Sequence, residues 1–246
     1  MSIDEKYFYQ GTEGFLGDPE DCKILFLMRE PNSEGKKADN QFWFKRVVDG
    51  EKLPRSGCYL SKLGQIASLL LKIPACNNEQ RIPALRQAAY ININPVCGQG
   101  TASNEYGDAI KWFKEEKEKC EILGKEYDSR WKIIFGMPNQ GWIVTVGDIY
   151  DAMYKVLDKK KAVVKKEKQD DGTKKKQYDG TDWIAPRLAF RDKQPMRSFV
   201  FTHDGKRINV LNCIHPAAFR KHYYRAEDIQ LLENNKRCTS NLEPEA

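Results

Sequence analysis

Four short apolar runs, each ending in polar residues or proline, constrain this chain more than any other feature. They are Ile24–Met28, Ala89–Asn94, Trp142–Val146 and Ile208–Cys213. None alternates cleanly between apolar and polar positions. Near-continuous apolar runs of this length suit strands covered on both faces, as in a parallel sheet. Stretches with helical spacing lie between them. Residues 60–73, "LSKLGQIASLLLKI", are apolar at 60, 63, 66, 69 and 70. Residues 104–123 are amphipathic and charged. In 147–157, "GDIYDAMYKVL", Ile149, Met153 and Val156 share a face and Asp148 is the expected N-cap. Residues 225–235 form a shorter candidate. Strand and helix alternating four times predict an α/β fold, a three-layer α/β/α arrangement on a central four-stranded, mostly parallel sheet. Its connections are expected to be right-handed.

With 246 residues the chain can bury a sizeable core, and one domain spanning 1–246 is expected. One segment breaks the composition. Residues 155–177 hold ten lysines and four acids, a surplus of six, which equals the formal charge of the whole chain. The remainder is therefore close to neutral. We read about 158–182 as a Lys-rich insertion between the third helix and the fourth strand, and about 238–246 as a loose tail. Two readings of the lysines stand side by side. One is a solvated loop or hairpin. The other is an arm whose lysines, among them Lys159, Lys160, Lys161, Lys165 and Lys166, neutralise phosphates without reading sequence.

No run of about 18 apolar residues is present, so no membrane span is expected. "MSIDEKYFYQ" has acidic residues and no apolar core, unlike a secretory signal. An intracellular, reducing compartment is expected: cytoplasmic, or nuclear in a eukaryote. The seven cysteines, at 22, 58, 76, 97, 120, 213 and 238, include no CxxC, which argues against a disulfide framework and a zinc ribbon. No metal and no cofactor is expected, and the chain is expected to be a monomer.

Ligands of open α/β sheets bind beyond the carboxyl ends of the strands. Arg29-Glu30-Pro31-Asn32 follows the first run. Asn92 and Asn94 end the second, Gly147-Asp148 follows the third, and His215-Pro216-Ala217-Ala218-Phe219-Arg220 follows the fourth. A carboxylate, two amides and an imidazole would thus converge on one rim. Each has a plain structural alternative. Glu30 is a possible surface turn residue, and an Asn beside proline is often only a turn former. At least one of Phe42, Trp43 and Phe44 is expected in the core. His203, in "THDGKR", is expected in a hairpin turn.

From about Lys23 to Lys221 this pattern resembles the uracil-DNA glycosylase superfamily. Glu30-Pro31 is similar to its first motif, a carboxylate or amide before proline. "DNQFWF" (39–44) is similar to the Asn-x-Phe-Trp stretch of the mismatch-specific branch. "YIN", ending at Asn92, matches the base-reading Asn. "GWIVTVGDIYDAM" matches the third strand and helix, and His215-Pro216-Ala217-Ala218-Phe219 the His-Pro-Ser-x-Leu motif.

The resemblance implies a DNA glycosylase acting on double- or single-stranded DNA. Breaking an N-glycosidic bond leaves positive charge on the sugar and negative charge on the base. Glu30 would stabilise the sugar cation and orient water, while His215 would hydrogen-bond the departing base. Asn92 would pair with the base edge, and Phe42 or Trp43 would stack on the flipped base. Phe219 would fill the gap in the duplex. Arg29, Asn32, Arg220 and Lys221 would contact flanking phosphates. No metal is needed.

Several positions depart from the family pattern. Met28 stands where a glycine is usual, Glu30 where Asp or Asn is, and Ala217 where serine follows His-Pro. Only Cys22 lies in the region where the iron–sulfur branches have a close cysteine pair, so no cluster is expected. These departures point to a divergent member. They keep open a modified or deaminated base other than uracil. They also keep open an inert protein on the same fold that senses modified DNA. A third reading, an unrelated doubly wound enzyme on a small nucleotide or sugar phosphate, has no GxGxxG or P-loop motif behind it.

Overall fold

A computed structural model describes residues 3–8, 13–28, 43–50, 59–75, 77–93, 110–117, 129–157, 164–168, 174–178 and 198–213. These hold eight strands and six α-helices. The strands are β1 (Gly14–Phe15), β2 (Ile24–Met28), β3 (Ala88–Asn92), β4 (Trp142–Val146), β5 (Val164–Lys168), β6 (Lys174–Tyr178), β7 (Ser198–His203) and β8 (Lys206–Cys213). The helices are α1 (Trp43–Asp49), α2 (Tyr59–Leu71), α3 (Asn78–Leu85), α4 (110–117), α5 (Ser129–Gly136) and α6 (Gly147–Leu157).

The main sheet has the order β1-β3-β2-β4-β8-β7. Its four inner strands are the four expected from the sequence, and each pairs parallel with the next among them. The expected count of four is corrected to six. Antiparallel β1 extends the sheet beside β3, and antiparallel β7 extends it beside β8. β1 is only two residues long and carries no periodicity. β7 is part of a hairpin, and its Val200 is exposed. The Asp204-Gly205 turn joins β7 to β8 with φ of 49° and 74°, the positive pair that a two-residue hairpin loop with the strands' twist requires. His203 pairs with Lys206 beside that turn, as expected.

Every residue of β2 and β3 is buried, which explains why neither run alternates. The core joins these strands to the apolar faces of α2, α5 and α6, including Leu60, Leu63, Trp131, Ile134, Ile149 and Met153. α2 and α3 lie close. A Cβ at Gly64 would come within 2.9 Å of Arg81 Cβ. Arg81 Nη1 donates to Ser61 Oγ at 2.6 Å and to Asn78 Oδ1 at 3.0 Å, tying the two helices.

Two sequence expectations need adjustment. Asp148 is not the N-cap of α6, because the helix already begins at Gly147. That residue's N–H donates to Asn212 Oδ1 at 2.9 Å, so the cap comes from β8, across the sheet. The Lys-rich insertion contains the antiparallel β5–β6 hairpin. The 225–235 helix and the 238–246 tail lie outside the described residues, as does most of 104–123.

The edge beside β3 is held by a buried ion pair. Arg130, near the start of α5, donates from Nη1 to Glu13 Oε1 at 2.6 Å and to the Asn92 carbonyl at 2.9 Å. Its Nη2 donates to the Tyr7 carbonyl at 2.9 Å. Glu13 Oε1 also accepts from the Asn92 N–H at 2.8 Å. The side chains of the pair are 4% and 0% exposed. Removing one partner strands a buried charge, which costs about 3–5 kcal/mol. Glu13→Gln and Arg130→Met are expected to lower unfolding free energy in urea by that amount. A loss of about 1 kcal/mol or less, the size of a surface pair, would show that the pair does not hold this edge.

Candidate functional site

The strand order sets where a crevice opens. From β2 the chain goes to β3 on one side, then crosses to β4 on the other. The switch therefore falls between β2 and β4, and ligand crevices form outside the carboxyl ends at such a point. The pairing agrees. The β2–β3 ladder continues to Met28–Asn92 and the β4–β8 ladder to Val146–Cys213. The β2–β4 ladder ends two residues earlier, at Phe26–Val144.

Residues in parallel register lie on the same face. Tyr90, Phe26, Val144 and Leu211 therefore form one row across the inner strands. Asn92, Met28, Val146 and Cys213 form the last row on that same face, at the switch point. Three of these four are apolar or a thiol. Asn92 is the polar member and is fully buried. Its backbone N–H and C=O are both taken, by Glu13 and Arg130. Neither its side-chain oxygen nor its nitrogen has a hydrogen-bond partner among the described residues. A buried amide left unpaired costs about 1–3 kcal/mol. Thr145 Oγ1 is also buried without a partner, but on the opposite face and one row back.

An aromatic cluster flanks Asn92. Tyr90, two residues earlier on the same face, meets Phe44 of α1 edge-on at 5.0 Å. Phe44 stacks with Tyr59 at 5.9 Å between centroids. The Tyr59 and Tyr90 hydroxyls are 3.3 Å apart. Burial pushes both phenols well above their ordinary pKa. Tyr59 is raised further by its Tyr90 neighbour and by the Cys213 thiol, and Tyr90 by Glu13. Both are therefore neutral hydrogen-bonding groups. Burial likewise pushes the Cys22 thiol, away from the crevice, up to about 12.

Of the expected site residues, the structure places Asn92 in full, at the carboxyl end of β3. Trp43 is placed as the first residue of α1, and Lys165 and Lys166 as residues of β5. Glu30, Arg29, Asn32, Phe42, His215, Phe219, Arg220, Lys221, Lys159, Lys160 and Lys161 lie outside the described residues. Phe44 is the expected core member of the 42–44 aromatics. Sequence reading missed Tyr59, Tyr90, Glu13 and Arg130. The two tyrosines carry a usable signal, since Tyr90 precedes Asn92 by one strand repeat. Glu13 and Arg130 are 117 positions apart, and nothing in the sequence pairs them.

Among the described residues, no helix is long and apolar enough to cross a membrane. Among the same residues, no group of three His, Cys, Asp or Glu is placed to hold a metal ion. No protein-family model and no curated protein matches the chain.

Two outcomes follow from this geometry. Asn92→Leu replaces the unpaired amide with an apolar group of similar shape. It is expected to raise unfolding free energy by about 1 kcal/mol or more. A loss of stability would mean that the amide serves the fold and not a ligand. The tyrosines give the second. A raised folded pKa contributes stability that is complete below the unfolded value, near pH 10, and is lost as pH rises through the folded value. The unfolding free energy from urea titrations is expected to fall above about pH 10, by up to about 1.4 kcal/mol per pH unit for each phenol. Tyr90→Phe should flatten that fall, and an unchanged slope would refute the assignment.

Proposed function

We propose that this protein is a DNA glycosylase: it takes a modified or deaminated base from DNA and hydrolyses its N-glycosidic bond, leaving an abasic site. The observation that carries this reading is the Asn92 amide, buried and without a partner among the described residues, at the carboxyl end of β3 beside the switch point. A primary amide donates and accepts at once, which suits the edge of a nucleobase. The neighbouring Phe44–Tyr59–Tyr90 cluster offers apolar surface with two neutral hydroxyls.

Chain connectivity supports the assignment of the other groups. Glu30 follows Met28 by two residues, and His215 follows Cys213 by two. Two residues span at most about 7 Å. Strands stand about 4.8 Å apart, so the ends of β2 and β8, with β4 between them, lie about 10 Å apart. Glu30 would face the sugar, stabilise its developing cation and orient water, and His215 would donate to the departing base. Phe42 or Trp43 would stack on the base, and Phe219 would fill the vacated stack. Arg29, Asn32, Arg220 and Lys221 would hold phosphates. Met28, fully buried in register with Asn92, occupies space that a glycine would leave open. This supports a target base other than uracil.

The test is base release from duplexes and single strands carrying uracil, hypoxanthine, xanthine, hydroxymethyluracil or hypermodified bases, with abasic sites read by alkaline cleavage. One substrate is expected to be cleaved. Glu30→Gln and His215→Ala are each expected to lower the rate by about 100-fold or more. Asn92→Leu should abolish release while the protein stays folded. No release from any substrate, with DNA still bound, would replace the enzyme by a sensor of modified DNA on this fold.

A further inference from the structure

The two outer strands end the main sheet differently. β1 is two residues long, and the Glu13–Arg130 pair holds the backbone of Asn92 beyond it. Short strands and charged side chains are two ways in which sheet edges are kept from pairing with other chains. β7 has neither protection. It pairs with β8 over Ser198–His203 in unbroken register, with no bulge. The stretch from Ser198 to Thr202 holds no charged residue and no proline. Val200 is 36% exposed, and Thr202, on the same face, is exposed as well.

The hairpin register says which backbone groups of β7 face outward. The two-residue turn makes His203 and Lys206 a hydrogen-bonded pair. Bonded and non-bonded pairs alternate along an antiparallel ladder. Phe201–Ile208 and Phe199–Val210 are therefore bonded, and Thr202–Arg207 and Val200–Asn209 are not. The far side of β8 agrees. The Asn209 N–H donates to the Gly141 carbonyl at 2.9 Å, and the Arg207 carbonyl accepts from the Gln140 N–H at 2.6 Å, so both turn their backbone away from β7. Val200 and Thr202, opposite them, turn theirs outward. The sheet ends at β7, and among the described residues those N–H and C=O groups have no hydrogen-bond partner.

A row of open backbone groups on an uncharged strand is a template for another strand. This strand is its own complement. Laid antiparallel to itself about Phe201, it sets Val200 opposite Thr202 of the partner subunit, and the same pair recurs across the axis. Each opposed pair exchanges two hydrogen bonds, so every outward group of Val200 and Thr202 in both copies is satisfied. No like charges meet across the contact. The association also stops by itself. A two-fold contact uses up β7 in both copies, and two-residue β1 is too short to start another.

We propose that the outer edge of β7 is a dimerisation edge: it pairs antiparallel with β7 of a second copy of this chain and joins the two main sheets into one. This replaces the expected monomer and is independent of the proposed function.

The experiment is sedimentation equilibrium of the full chain together with amide hydrogen exchange followed by NMR. A single strand pair is a small interface, so the dissociation constant is expected at about 10 µM to 1 mM. Mass should rise with concentration from one chain to two and no further. Exchange at the Val200 and Thr202 amides should slow as dimer forms, while Phe199 and Phe201, already bonded to β8, stay unchanged. Thr202→Pro removes an outward donor from each copy and spares the β7–β8 ladder. It is expected to raise the dissociation constant by about tenfold or more. Val200→Lys with Thr202→Lys opposes lysine to lysine and should leave a monomer throughout. Val200→Thr keeps the backbone and should shift the constant by less than about threefold. Melting temperatures taken at about 2 µM, where the wild type is monomeric, show that each variant folds. If Thr202→Pro melts early, the double lysine variant decides. A monomer at every concentration overturns the proposal. So does a dimer whose Val200 and Thr202 amides exchange freely, which places the contact elsewhere. Protection of those amides at every concentration means that the chain covers its own edge, and overturns it too. So does Val200→Thr weakening the dimer as much as Thr202→Pro, which makes the contact an apolar patch instead of a strand edge.

Discussion

The outer side of β3 runs out of strand before β3 ends. β1 pairs only with Ala89 and Tyr90, so the last residues of β3 have no ladder on that side. Glu13 and Arg130 take its place. The carboxylate accepts the Asn92 N–H, and the guanidinium donates to the Asn92 carbonyl. A side-chain ion pair thus does what two backbone groups of a longer β1 would otherwise do. The low exposure of the pair makes this strong and also makes it intolerant of losing one partner. With the backbone of Asn92 fixed on both polar groups, its side chain is the only part of the residue left to bind anything.

This fixes a division of labour across the sheet. The row through Tyr90, Phe26, Val144 and Leu211 is core. The next row, Asn92, Met28, Val146 and Cys213, lies at the switch point, where the β2–β4 ladder has stopped. Only one member of that row is polar, so orientation of a ligand there falls to a single amide. Met28 sets how much room stands beside it. The aromatic cluster behind, with phenols held neutral by burial, offers hydrogen bonds without charge. Such a site suits a neutral heterocycle better than a free phosphate.

How far the sequence speaks follows from how local each signal is. The inner strands are legible because burial on both faces writes them as continuous apolar runs. The β7–β8 turn is legible because Asp-Gly has few other uses between apolar segments. α3 is harder. Pro83 lies inside it, and its clearest mark is Asn77, whose Oδ1 accepts the Gln80 N–H at 2.9 Å. β1 carries two residues and no pattern. Asn92 is found by position, at the end of a run, yet the property that marks it, an amide with nothing to bond, is a fact of three dimensions. The cap of α6 shows the same limit. Asp148 is the local candidate, and the structure uses Asn212, from a strand 65 residues away.

Charge and chemistry are separated along the chain, and this bears on how such a protein would work. The switch point lies in a body of near-zero net charge, while the surplus of six lies in residues 155–177. Under the proposed function, attraction to a polyanion would be a property of the insertion, and discrimination a property of the last row of the sheet. A protein built this way can be screened off its polymer by salt without changing its pocket. It can also lose its pocket chemistry and keep its grip. Affinity alone therefore says nothing about whether the Asn92 amide has found a partner. Only a measurement that reads the crevice, by base release or by the stability gained when the amide is removed, separates an enzyme from a sensor.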